Sequence, residues 1–86
     1  MKQVVRLAAF SKTDYNYLLT VIENKSDIPD SFEVWSEVHK AEKKELYEKG
    51  CRVREIKIDV DELIEYCELR NLKLNVKAIQ QYVLNF

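Results

Sequence analysis

The sequence predicts an α+β fold: one small domain over residues 1–86, with about four helices packed against a two-stranded sheet in the order β-α-α-β-α-α. Three observations carry this. The chain has one Gly and one Pro in 86 residues, too few breakers for the turn-rich strands of a sandwich or barrel. Between Val53 and Ile58 the residues alternate, with Ile56, Ile58 and then Val60 facing one way and Glu55 and Lys57 the other. On either side of that run the apolar residues recur at helical spacing instead. Hydrophobic content of 47% against 34% charged marks a folded chain rather than a disordered one. A domain of this size buries only about 60–65% of its unfolded surface, so it holds a single modest core.

The elements follow in order. Residues 3–10 read as a strand, with Val5, Leu7 and Ala9 on one face and Val4, Arg6, Ala8 and Phe10 on the other. A short helix competes here, since Ala and Leu favour helix. The strand is preferred because the later strand needs a partner. Residues 14–24 predict a helix capped by Ser11 or Thr13, with Tyr15, Leu18, Leu19 and Ile22 on its apolar side. Residues 25–30 form a loop, because Pro29 disfavours helix at Ile28.

A second helix starts from Asp30 or Ser31 and runs to about Lys49, where Gly50 stops it. Phe32, Trp35 and Val38 make its first half amphipathic, while its second half is mostly charged. Glu42 and Leu46 fall on the Trp35 side. A carboxylate in an apolar stripe is explained if this half projects past the core into water. The sharper alternative is a paired carboxylate at a partner surface.

Asp59 caps a third helix, with Glu62 at capping-box spacing. Val60, Leu63, Ile64, Tyr66 and Cys67 form its inner side. Asn71 is a left-handed helix end, with Leu72 folding back as its apolar contact. Asn75 caps the last helix, whose stripe is Val76, Ile79, Tyr82, Val83 and Phe86, with Leu84 left outside.

Chemical motifs are scarce. His39 is the single histidine, so a Ser–His or Cys–His catalytic pair would have to use it. It lies in a charged segment and reads as an ordinary surface or boundary residue. Cys67 sits on an apolar helix face and reads as core. Cys51 and Cys67 lack the short paired spacing of a zinc site. Asp59, Asp61 and Glu62 form an acidic cluster at a helix start, where capping and the helix dipole account for them without a metal. One Gly leaves no phosphate-binding loop. The expectation is a non-enzymatic protein with no cofactor and no metal.

Charge is more informative locally than in total. The net charge is −1, which gives no whole-chain attraction to nucleic acid or membrane. Residues 40–57 lean basic, whereas residues 59–68 carry five acids and no base. The candidate partner surface is therefore Glu42, Lys40, Lys43, Lys44, Leu46, Tyr47, Arg52 and Arg54. Weak ion pairs such as Glu45–Lys49 are the ordinary alternative for such a surface. The expected role is an adaptor, inhibitor or regulatory subunit that binds another protein, with a homodimer burying Leu46 and Tyr47 as a second form. A nucleic-acid-binding module using Lys40, Lys43, Lys44, Arg52 and Arg54 is the alternative. No membrane span is expected, nothing at the start resembles a secretory leader, and the expected location is cytoplasmic.

Overall fold

A computed structural model describes residues 3–86. The chain runs through β1 (Val4–Ala9), α1 (Lys12–Val21), a single 3-10 turn (Lys25–Asp27), α2 (Phe32–Glu48), β2 (Arg52–Lys57), α3 (Val60–Leu69) and α4 (Val76–Leu84). The expected class and order hold, and residues 4–9 are strand rather than helix. The reading of the chain's start rests partly on Met1 and Lys2, which lie outside the described residues. Among the described residues, no helix is long and apolar enough to cross a membrane.

Side-chain caps set the helix starts. Ser11 accepts from the Asp14 N–H, Ser31 from Val34, Asp59 from Asp61 and Glu62, and Asn75 from Ala78. Each satisfies backbone donors that the first helical turn leaves free. The capping box is incomplete, because the Glu62 carboxylate faces the Tyr82 hydroxyl at 3.5 Å instead. Two ends follow one pattern. After α2, Gly50 at φ 81° sends its N–H to Tyr47 O, and Cys51 sends its N–H to Leu46 O. After α3, Asn71 at φ 54° donates to Glu68 O and Leu72 to Cys67 O. Both are the paired 5→2 and 6→1 bonds that close a helix through a left-handed residue. α1 ends three residues earlier than expected, because Ile22 is extended and Glu23 N–H is drawn to Leu74 O at 2.8 Å.

The two strands are parallel, in register from Val4 opposite Arg52 to Ala9 opposite Lys57. Parallel strands need a long crossover, and α1 and α2 supply it. Alternation sends the two sheet faces to different helices. Ala8 and Ile56 join the core with Ile79 and Val83 of α4 and Leu63 and Cys67 of α3. Leu7 and Glu55, directly opposite each other, face α2. The core is completed by Tyr15, Leu18 and Ile22 of α1 and by Ile58 and Val60 at the β2–α3 junction. Burial of Leu63 alone is worth about 1.5–3 kcal/mol.

α2 belongs to the periphery. It contributes no fully buried aliphatic side chain and is held instead through an aromatic cluster. Trp35 stacks on Tyr15 at 5.5 Å, and Phe10 meets both rings edge-on. The Tyr15 hydroxyl donates to Pro29 O at 2.6 Å, tying the loop before α2 to the core. Burial pushes that phenol up to about 12.

Three expectations need correcting. Val38, expected on the inner side of α2, is 55% exposed, while His39, expected as a surface or boundary residue, is only 9% exposed. The inner stripe is Phe32, Trp35, His39 and Leu46, a heptad-like spacing that passes Val38 by. Phe86 is 61% exposed, because the helix ends at Leu84 and the Phe86 ring pairs edge to face with Tyr82, outside the core.

Candidate functional site

The polar centre of the molecule lies where α2 crosses β2. His39 Nε2 lies 2.6 Å from Glu55 Oε1, and Lys43 Nζ lies 3.3 Å from the same oxygen. His39 and Lys43 are one helical turn apart and therefore point to one side of α2. Glu55 reaches them because strand alternation turns it away from the core that takes Ile56. The His39 ring also stacks on Trp35, with centroids 4.7 Å apart and planes at 19°. The Glu55 carboxyl is held below its usual range, first by the hydrogen bond from His39 and then by Lys43, against the opposing effect of burial. A carboxylate kept ionised can only accept, so His39 Nε2–H is the donor. Among the described residues, no Ser, Thr or Cys side chain is hydrogen-bonded to His39, Lys43 or Glu55. The arrangement fastens a helix to a strand.

Beyond that clamp, α2 presents two flanks. On one, Lys40, Lys43, Lys44, Tyr47 and Glu48 rim a shallow hollow of about 430 Å³. The spacing i, i+3, i+4, i+7 places the first four together. Lys43 is held by Glu55, whereas Lys44 makes none of the ion pairs found among the described residues, and Lys40 reaches Glu37 only at 4.0 Å. Tyr47 is 59% exposed.

On the other flank, Glu42 is exposed, as the water-facing explanation requires, and stands at the mouth of a groove beside β1 and α4. Leu46 is half-buried under α2, so it belongs to the packing of the helix rather than to a free surface.

Arg52 and Arg54 are exposed on β2. They alternate with Val53 and Glu55, so they lie on the opposite sheet face from the Glu55 clamp. Their register neighbours are Val4 and Arg6. The eight residues of the candidate surface thus divide among the α2 hollow, the β1 groove, the helix underside and the far sheet face. The anticipated Glu45–Lys49 pair is present at 3.0 Å.

The acidic cluster at the start of α3 is engaged locally. Asp59 caps the helix, and Asp61 accepts from the Tyr17 hydroxyl at 3.0 Å, which pushes that exposed phenol up. Cys67 is buried in the core and its thiol is raised by burial, while Cys51 is half-buried. Among the described residues, no three His, Cys, Asp or Glu side chains converge as metal ligands do.

The clamp escaped sequence reasoning. One signal was available: His39 lies four residues after Trp35 and seven after Phe32, on the same helical side. The other half, Glu55, carried no local mark. Comparison with protein-family models, curated proteins and solved structures finds no match for this chain.

Proposed function

We propose that this chain is a non-enzymatic protein–protein interaction module, an adaptor, inhibitor or regulatory subunit, whose partner seats on the basic flank of α2. The observation that supports this reading is the hollow rimmed by Lys40, Lys43, Lys44 and Tyr47. Its cations invite an acidic partner surface. Its exposed tyrosine offers an aromatic anchor, a residue type enriched at interface centres. The His39–Glu55–Lys43 clamp holds the helix in place beneath it, so little order has to be gained on binding.

The test is affinity capture by the tagged full chain from its native cell, run beside K40E/K44E/Y47S. All three side chains are exposed and outside the core, so the variant keeps the fold. The expected result is a partner recovered with the wild type and lost with the variant. Equal recovery by both chains contradicts the reading.

One observation favours a second reading. Arg52, Arg54 and Arg6 share a sheet face, with Arg6 directly opposite Arg54. This cluster suits a phosphate backbone. It predicts binding to duplex DNA or RNA that weakens steeply with salt and is lost in R52E/R54E, while K40E/K44E/Y47S binds as the wild type does. Absence of binding at low salt contradicts it.

A further inference from the structure

The parallel ladder leaves one side of β1 unused. Arg52 N–H donates to Gln3 O at 2.8 Å and Ile58 N–H to Ala9 O at 2.9 Å. The odd-numbered residues of β1 therefore turn their main chain toward β2. Val4, Arg6 and Ala8 turn theirs outward, and among the described residues no main-chain hydrogen bond outside the ladder reaches them. Such a row of unpaired N–H and C=O groups is a template for another strand.

This edge forms the floor of a groove of about 360 Å³. Leu7 and Ala8 lie along the floor, Ile79, Val83 and Leu84 line the α4 wall beside Gln80, and Glu42 stands on the α2 wall. Arg6, also in the lining, donates from its guanidinium to Leu84 O at 2.8 Å, at the end of α4. Glu42 makes none of the ion pairs found among the described residues. An extended segment laid on β1 points alternate side chains to opposite walls. One set meets the α4 wall, where Ile79 and Val83 offer apolar contact short of the Arg6–Leu84 bond. The other meets an uncompensated carboxylate.

We propose that this groove binds an extended segment of another protein by strand addition to β1, and that the segment alternates apolar residues toward α4 with Lys or Arg toward Glu42. Main-chain bonds to Val4, Arg6 and Ala8 supply affinity, and the two walls supply selectivity. A second copy of this chain fits less well. Antiparallel pairing of two β1 edges about a two-fold axis sets α2 beside α2, bringing the Glu42 carboxylates toward each other without a cation between them. The groove lies on the opposite flank of α2 from the Lys40–Lys44–Tyr47 hollow, so this inference and the proposed function fail independently.

The test uses the full ¹⁵N-labelled chain and the peptide acetyl-Val-Lys-Val-Lys-Val-Lys-Val-amide, read by amide hydrogen exchange and chemical shift. At saturation the Arg6 and Ala8 amides exchange roughly tenfold or more slowly, while Val5 and Leu7, already paired to β2, do not change. The same peptide with Glu for Lys, or with alternate amides N-methylated, binds more weakly. E42Q weakens the lysine peptide about 2–5-fold, the scale of an exposed ion pair. Unchanged exchange at Arg6 and Ala8 in millimolar peptide overturns the proposal, as does equal binding by E42Q. Protection of these amides that rises with protein concentration alone also overturns it, in favour of a homodimer.

Discussion

His39 on α2 and Glu55 on β2 are joined side chain to side chain at 2.6 Å, a bond between a nearly buried imidazole and a carboxylate that is 43% exposed. Its pH dependence follows from the Glu55 carboxyl, held below the ordinary value of 4.5 by His39 and then Lys43. A lowered folded-state pKa means stabilisation that is complete above the unfolded value and is lost as pH falls through the folded one. E55Q is therefore expected to unfold more easily than the wild type near neutrality, by about 1 kcal/mol or less given the solvent screening of Glu55. The difference shrinks below about pH 4.5, the ordinary glutamate range. Urea denaturation of both chains from pH 7 to pH 3 checks this. A gap that persists unchanged into acid contradicts it.

The histidine does two jobs, stacking on Trp35 and donating to Glu55. H39A loses both and is expected to cost about 2–3 kcal/mol, combining a small cavity with a lost charge-assisted bond. H39F keeps a ring against Trp35 and frees a carboxylate that water can reach, so its cost is expected to be about 1 kcal/mol. Denaturation midpoints rank the two. Equal losses would show that the stack contributes nothing.

Much of this fold was legible because its signals are local. Asp59 and Asn75 stand where a cap must accept backbone N–H groups, and Gly50 and Asn71 where the chain must turn left-handed. The strand at Ile56 and Ile58 shows its period within six residues. The charged half of α2 was harder, because Val38 and His39 are adjacent and the more apolar of the two is the one in water. The site was less legible than the fold. Strand direction, the turn of Glu55 toward α2, and the open edge of β1 are relations between residues far apart in the chain, and no periodicity encodes them. The basic residues looked continuous from Lys40 to Arg54, yet alternation along β2 sends Arg52 and Arg54 to the other face.

Gly50 isolates a backbone effect. Nothing lies within 4 Å of the Cβ it lacks, and its φ is 81°. G50A therefore introduces conformational strain without a clash and is expected to destabilise by about 1 kcal/mol. N71G, at the equivalent end of α3, is expected to change stability by less than about 0.5 kcal/mol, since Gly occupies that region freely. Thermal or chemical unfolding of the two variants separates the cases.

Leu63 and Leu69 are six residues apart on α3 and differ in burial from 0% to 76% exposed. L63A is expected to cost about 2–5 kcal/mol, a large share of the total stability of about 5–15 kcal/mol typical of a domain. L69A is expected to fall within about 0.5 kcal/mol of the wild type. Similar losses at the two sites would contradict the placement of the core on the inner side of α3.

The central claim is that partners meet the chain at the basic flank of α2. Its most direct test places a photocrosslinking phenylalanine analogue at Tyr47, with the same group at Leu69, which is more exposed still, as a control on a different helix. Illumination in the native cell is expected to give a discrete heavier adduct from position 47 and none from position 69. No adduct at 47, or the same adduct from both positions, would contradict the account.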